Sequence, residues 1–291
     1  MRRLLLCSVF AVSYLFGTQN TGAEPNETPP AAGLSHVPVA VKNLSEASAD
    51  FARLGFVLKP GHLHDDGIQN NHVKFPDGTE IELISASRTV DSITASYVTF
   101  LARGDGPAFL ALYAPDLQRV AAWLDKAQLQ YTREDGLISL AENGPHPDIF
   151  FAGLNHSPTD LPRYFQHPNG ATRLLAVWMV GKDFVAERSL FRGLGATSAT
   201  SVTRMPKKTS VETMRFKQGE IRLLPMSYQV VPGHRIVGVT VQTSDLGKVR
   251  RSLRAAGLGI PPEITSSDGK SLFVPPTLAR GMWIEFRETK P

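Results

Sequence analysis

The sequence has 291 residues, of which 42% are hydrophobic and 20% are charged. This is the composition of a globular protein, and the length suits one large or two ordinary domains. The formal net charge is only +4, which gives no argument for a nucleic-acid partner, and the single cysteine, Cys7, excludes a disulfide framework.

The N-terminus has the pattern of a secretory signal. Two arginines precede an apolar run from Leu4 to Phe16, and a small-residue cleavage pattern ends at Ala23. Because the run is shorter than the ~20 residues that span a bilayer as a helix, we predict a cleaved signal peptide over 1–23. The alternative is an uncleaved anchor. We therefore expect an exported, periplasmic protein with no stable membrane insertion after cleavage, and a disordered leader over 24–32.

Four stretches of the chain share one order of elements. Each has an alternating apolar strand, a short polar turn and an amphipathic helix of about three turns. An Asn or Asp at the end of each turn is a suitable N-cap, because its side-chain oxygen can accept the free amides of the first helical turn. The stretches are 33–56, 107–130, 172–196 and 235–260, with N-cap candidates Asn43, Asp116, Asp183 and Asp245.

The four units also end alike. Each closes on a strand with Ile, one variable residue and a large apolar residue, and two shorter strand-like runs lie between helix and final strand. The variable residues are Glu82, Phe150, Arg222 and Glu285. We predict an α+β fold of four βαβββ modules, paired into domains at 33–155 and 172–288 around curved sheets, with a linker at 156–171.

Three segments resemble the glyoxalase-like domain family of the vicinal-oxygen-chelate superfamily, which has the glyoxalase, bleomycin-resistance and dioxygenase fold. They read "LSHVPVAVKNLSEASADFARLGF", "NNHVKFPDGTEIELI" and "HPNGA". The resemblance implies a divalent metal in the curved sheet, bound by residues of the first and last strands of each module. It does not fix the activity, because the superfamily includes lyases, dioxygenases, epimerases, thiol transferases and metal-free binders.

By position, the resemblance makes His36 and Glu82 metal ligands, with Zn, Mn, Fe or Ni as the metal. Imidazole and carboxylate suit these ions. Strand alternation places His36 on one face with Pro38 and Ala40, while the neighbouring valines face the helix. Glu82, if displaced from the metal, is also the candidate catalytic carboxylate for proton transfer. The alternative is a hydrogen-bonded His36 in a cavity without metal.

The second module departs from the ligand pattern. Phe109 and Phe150 occupy its ligand positions, and neither can bind a metal. Two sources of further ligands stay open. One is the loop over 62–72, which offers His64; the other is a pairing of the first and fourth modules, which brings His234 and Glu285 to the site.

The function that follows is an exported glyoxalase-like enzyme of lyase, isomerase or dioxygenase type, acting with a divalent metal on a small oxygenated substrate. Phe109 and Phe150 are the expected substrate-binding residues, and Arg222 would bind an anionic group. The alternative is a metal-free protein that binds a small molecule in the same cavity. A homodimer is compatible with either, and no nucleic-acid partner is expected.

Overall fold

The computed structural model describes residues 28–134, 136–267 and 269–289. The predicted signal peptide lies outside them. Within this part of the chain, 17 strands form two mixed sheets of nine and eight strands, and five α-helices connect strands of these sheets. None of these helices is long and apolar enough to cross a bilayer.

The first sheet and its helices come from residues 33–152. The elements are β1 (Gly33–Ala40), α1 (Leu44–Arg53), β2 (Lys59–Leu63), β3 (Ile68–Lys74), β4 (Glu80–Ala86), α2 (Ser92–Leu101), β5 (Gly106–Pro107), β6 (Leu110–Tyr113), α3 (Leu117–Lys126), β7 (Tyr131–Glu134), β8 (Leu137–Leu140) and β9 (Ile149–Ala152).

The second sheet and its helices come from residues 171–288. The elements are β10 (Ala171–Gly181), α4 (Val185–Gly193), β11 (Thr197–Thr203), β12 (Thr209–Arg215), β13 (Glu220–Pro225), β14 (Ile236–Thr243), α5 (Leu246–Ala255), β15 (Ile264–Ser266), β16 (Gly269–Val274) and β17 (Trp283–Glu288).

The strand order confirms four βαβββ modules in two domains. In the first sheet the order is β2-β3-β4-β1-β6-β9-β8-β7, and in the second it is β11-β12-β13-β10-β14-β17-β16-β15. Each module places its first strand parallel to its last strand, and the first strands of two modules pair antiparallel at the centre of each sheet. The first module thus pairs with the second, and the alternative pairing of the first with the fourth is wrong.

Three of the four predicted N-caps are present. Asn43, Asp116 and Asp245 each accept an amide of the first turn of their helix. The fourth prediction is wrong by one residue, because α4 has Phe184 at its N-cap; Asp183 Oδ1 accepts from the Val185 amide at 3.4 Å.

Helix α2 is an addition that the repeat pattern does not predict. It begins at a capping box, in which Asp91 accepts from the Thr94 amide and the Thr94 hydroxyl accepts from the Asp91 amide. Its residues Tyr97 and Leu101 pack with Ile84 and other apolar residues on the His36 side of the first sheet. This face, called the concave face below, is therefore partly covered by α2.

The opposite faces of both sheets meet in a shared hydrophobic core. Val37 and Val39 belong to this core, as predicted from strand alternation, and so does Val177 of the second sheet. Across the boundary, Phe56 stacks on Phe286 with ring centroids 5.5 Å apart. The two concave faces therefore lie on the outer sides of one packed molecule.

The residues just before β1 are held against both domains. The amide of Ala31 donates to the Leu194 carbonyl at 3.2 Å, and the amide of Ala32 donates to the Tyr113 carbonyl at 2.8 Å. The predicted disorder is therefore wrong for residues 28–32. Residues 24–27 lie outside the described part of the chain.

Candidate functional site

His36 is fixed in orientation by its neighbour. Ser35 Oγ donates to the Gly153 carbonyl at 2.9 Å and lies 3.0 Å from His36 Nδ1. Because the single hydroxyl hydrogen is directed to Gly153, we assign the imidazole proton to Nδ1, which donates to Ser35. The Nε2 lone pair of a neutral His36 is then free and faces Glu82.

Glu82 is held by one of its two oxygens. Asn70 Nδ2 donates to Glu82 Oε1 at 2.7 Å, while Oε2 lies 3.8 Å from His36 Nε2. That separation is too long for a hydrogen bond. Each of the two side chains is only 13% exposed. In the described part of the chain neither facing atom has a hydrogen-bond partner, and neither is among the buried side-chain atoms that lack one, so both reach solvent. We call the space beside these two atoms the opening.

A row of aromatic rings leads away from His36. Phe150 packs edge-on against the imidazole at 5.2 Å, Phe109 lies 6.5 Å from Phe150, and Tyr97 lies 5.3 Å from Phe109. We call Tyr97, Phe109 and Phe150 the aromatic wall. Phe150 therefore lies beside His36, and Phe109 lies one ring further along; that both contact a substrate stays a prediction.

Tyr97, the residue of the aromatic wall furthest from His36 along the row, is near enough to Glu82 for the carboxylate charge to act on it. Burial, together with the negative charge of Glu82, raises the pKa of Tyr97 well above its usual value, so the hydroxyl stays protonated at neutral pH. Tyr97 was not found from the sequence, because α2 lies outside the repeated module and its contacts are tertiary.

A second polar row lies beside the first on the same face. His72 Nδ1 lies 3.5 Å from Glu80 Oε1, and Lys74 Nζ lies 3.0 Å from Glu80 Oε2. Asp160 of the interdomain linker pairs with both Lys74 and Lys59. The linker is thus tied across this end of the concave face by buried charges.

The two other predicted ligands lie away from His36. His64 stacks on His62 with ring centroids 4.3 Å apart, in the turn after β2. Glu285 lies on β17 of the second sheet, where Ser271 and Thr240 each donate to it at 2.7 Å. His234 is also apart, between the carbonyls of Pro107 and Phe100, each at 3.2 Å.

Arg222 forms ion pairs with carboxylates of its own domain. Its Nη1 donates to Glu285 at 3.0 Å, while Nε and Nη2 both donate to Glu220 at 3.0 Å. Burial alone would raise the pKa of Glu285, but Arg222 and Arg287 outweigh burial and lower it. Arg222 is 2% exposed, so its guanidinium is not free to bind the anionic group predicted from the sequence.

The residues around His36 do not fit a metal held by protein ligands alone. Such sites use three or four donors from the chain. His36 and Glu82 supply two, and Phe109 and Phe150 stand where a third and fourth are expected. Within the part of the chain that the structure describes, no group of three or more His, Cys, Asp or Glu side chains could hold a metal ion.

Comparison with protein families identifies the chain. The glyoxalase-like domain matches residues 34–195, more than half of the sequence. The chain belongs to the glyoxalase-like domain family. The match begins at β1 and includes His36, Glu82 and the aromatic wall. A search of curated protein sequences finds no relative.

Solved structures with the same fold include several dioxygenases. A xylose isomerase-like TIM barrel/4-hydroxyphenylpyruvate dioxygenase fusion protein has a TM-score of 0.65 at 14% identity; the match covers 94% of this chain and 52%, about half, of the fusion protein. A mutant of 4-hydroxymandelate synthase from Streptomyces coelicolor has a TM-score of 0.64 at 14% identity, with 90% and 94% of the chains covered.

Homoprotocatechuate 2,3-dioxygenase from Brevibacterium fuscum, in complex with 3,4-dihydroxyphenylacetate, has a TM-score of 0.62 at 13% identity. The match covers 90% of this chain and 82% of the dioxygenase. At these identities the likeness shows the fold alone. It confirms that this glyoxalase-like chain has the two-domain vicinal-oxygen-chelate architecture.

Proposed function

We propose that the first domain binds a small oxygenated molecule on its concave face and moves a proton to or from it, with Glu82 as the base and no resident metal. The observation that carries this proposal is the 3.8 Å opening between His36 Nε2 and Glu82 Oε2. Neither atom has a protein hydrogen-bond partner in the described part of the chain, and neither is a buried unpartnered atom, so a ligand can reach both from the solvent side. A ligand hydroxyl can donate to His36 and leave Glu82 free to accept a proton.

The surroundings of the opening define the rest of the ligand. The aromatic wall offers flat apolar contact beside the polar gap, which suits a small ring or alkyl body that carries the hydroxyl. Small-molecule binding is also consistent with the glyoxalase-like fold, since the structurally similar dioxygenase from Brevibacterium fuscum is complexed with 3,4-dihydroxyphenylacetate.

Glu82 is the better placed of the two groups to accept a proton from carbon. Asn70 holds one carboxylate oxygen at 2.7 Å and leaves the other directed to the opening. His36, held through Ser35, is suited to accept the ligand hydroxyl hydrogen and so orient the adjacent carbon. The reaction class that follows is proton transfer next to a carbonyl, as in an isomerase or lyase.

The test uses 2-hydroxyacetophenone, which carries a hydroxyl, an acidic C–H and an aromatic ring. We expect the wild-type protein to speed exchange of its α-protons in D₂O, followed by NMR, and Glu82→Gln to lower that enhancement by about 100-fold. His62→Ala, at an exposed histidine outside the site, serves as the control. Exchange at the buffer rate with wild-type protein contradicts the proposal; saturable binding without exchange supports the binding-protein alternative.

A metal-dependent enzyme is the second candidate. The same 3.8 Å separation favours it, because two ligand bonds of about 2.0–2.2 Å each can span such a gap. Metal analysis of the protein used for the exchange measurement decides between the two. We expect well under one equivalent of Zn, Mn, Fe or Ni after growth with these metals. One equivalent that is lost in His36→Ala supports the second candidate.

We also propose that the protein is exported. The support is the arginine pair, the short apolar run and the small-residue pattern that ends at Ala23. N-terminal sequencing of the protein from its native host should give a first residue of Glu24. A mature chain that retains Met1 contradicts this proposal.

A further inference from the structure

We infer that Tyr97 is a ligand-contacting residue of the concave site, which donates a hydrogen bond to a carbonyl oxygen next to the ligand's hydroxyl. The inference rests on the proposed function and specifies its ligand: an α-hydroxycarbonyl group on a flat apolar body. It concerns a residue of α2, the helix that lies outside the four repeated modules.

The hydroxyl of Tyr97 has no partner from the protein. The residue as a whole is 4% exposed, and in the described part of the chain no protein group hydrogen-bonds with its hydroxyl. The hydroxyl is not among the buried side-chain atoms that lack a partner, so it reaches solvent. The hydroxyl is therefore available for a group that the protein does not supply.

The ring of Tyr97 lies over the concave face. Tyr97 packs on Phe109 at 5.3 Å and joins the apolar cluster that contains Ala40 and Ile84, so it lies over the concave face. Ile84 lies two residues beyond Glu82 and Ala40 lies four residues beyond His36, on the same strand face as these site residues. The charge of Glu82 also acts on the Tyr97 hydroxyl, which therefore lies toward the Glu82 end of the concave face.

The three atoms have complementary roles. His36 Nε2 and Glu82 Oε2 are acceptors, whereas the Tyr97 hydroxyl, kept protonated by its raised pKa, is a permanent donor. A ligand that suits all three presents a donor hydroxyl to His36, an acidic C–H to Glu82 and an acceptor oxygen to Tyr97. When Glu82 removes the proton from the carbon between those groups, negative charge develops on the carbonyl oxygen, where the Tyr97 hydrogen bond stabilises it.

A matched pair of probes tests the inference. 2-Hydroxyacetophenone and 2-phenylethanol share the phenyl ring and the hydroxyl, and differ only by replacement of the carbonyl with a methylene. Dissociation constants are measured by NMR titration for wild-type protein and Tyr97→Phe. We expect the wild type to prefer the ketone by about five- to tenfold, and Tyr97→Phe to lose that preference while its affinity for 2-phenylethanol changes less than twofold.

The outcomes separate this inference from the proposed function. If Tyr97 had only a structural role, Tyr97→Phe would weaken the binding of both probes equally. An unchanged preference for the ketone in Tyr97→Phe therefore overturns the inference and leaves the proposed function standing. If wild-type protein binds neither probe, the proposed function fails and the inference fails with it. A preference lost in Tyr97→Phe but retained in Phe100→Leu, a neighbouring aromatic residue of α2, supports the hydroxyl rather than the packing of the helix.

Discussion

Replacement of Arg222 with methionine is expected to lower the free energy of unfolding by about 3–5 kcal/mol, the usual cost of removing one partner of a buried ion pair. Arg222 and Glu285 are 2% and 3% exposed, and Arg222 Nη1 lies 3.0 Å from the Glu285 carboxylate. Methionine keeps most of the side-chain volume, so the loss reports mainly the carboxylate that is left under-compensated. Urea unfolding at pH 7, followed by circular dichroism, measures it.

Arg215 provides a matched control because it pairs with the same glutamate as Arg222. Its Nε lies 3.2 Å from Glu220 Oε2, but the Arg215 side chain is 52% exposed. Exposed pairs contribute at most about 1 kcal/mol, so Arg215→Met should change the unfolding free energy far less. Equal effects of the two substitutions would show that burial of the second-domain network is not what makes it stabilising.

The two concave faces occupy equivalent places in the fold and are filled in opposite ways. In the second, Ala176 stands at the position of His36, and the carboxylate of Glu285 is neutralised by arginines and hydrogen-bonded by hydroxyls. In the first, the carboxylate of Glu82 has a single amide partner and faces an imidazole that does not reach it. The second face is therefore an internally satisfied core, and the first retains unmet hydrogen-bonding capacity. This difference is the reason for proposing that the ligand binds to the first domain.

The modules could be predicted because each repeats the same local rules. Each module can be recognised from short stretches of sequence. These are the alternating apolar residues of the first strand, a polar N-cap such as Asn43 and the final strand around Glu82. The register of the parallel pair β1 and β4 then places Glu82 opposite Pro38, close to His36. The adjacency of His36 and Glu82 therefore follows from the module itself.

The partners of these residues could not be predicted, because they depend on contacts between modules. Asn70 reaches Glu82 only after β3 pairs with β4, and Tyr97 packs over the concave face only because α2 folds back onto the sheet. One missed pair did carry a signal. Arg222 and Glu285 hold equivalent last-strand positions in paired modules, as Glu82 and Phe150 do, and their opposite charges indicated a partnership within the second domain.

The pair of Glu80 and His72 is expected to stabilise the fold most between about pH 4.5 and 6.5, and Glu80 is the main cause. Burial by itself would raise the pKa of Glu80, but His72, His36 and Lys74 together lower it from 4.5 to about 2. A lowered carboxyl pKa stabilises the fold above the unfolded value and loses that effect as the pH falls through the folded value. Between pH 4.5 and 2 the loss from Glu80 amounts to about 3 kcal/mol.

His72 determines how stability changes at the higher-pH side of this range. Burial would lower its pKa, but the charges of Glu80 and Glu82 raise it above 6.5. A raised histidine pKa stabilises the fold below the unfolded value, and this contribution disappears as the pH rises through the folded value. Because Glu80 stabilises protonated His72 while His72 stabilises ionised Glu80, both sides of the range depend on the same 3.5 Å contact.

Glu80→Gln should therefore weaken the pH dependence of the unfolding free energy on both the acidic and the higher-pH side. Lys74 keeps Asp160 as a partner at 3.3 Å in this variant, so the linker stays attached and the fold is expected to survive. Urea unfolding between pH 2.5 and 8 should show an unfolding free energy about 3 kcal/mol lower than wild type near pH 6, with convergence toward pH 2. Glu134→Gln, at an exposed position of β7, should follow the wild-type curve. A Glu80→Gln profile parallel to wild type would mean that the loss of stability on the acidic side arises elsewhere, and that the charges under the linker do not control the stability of the concave face.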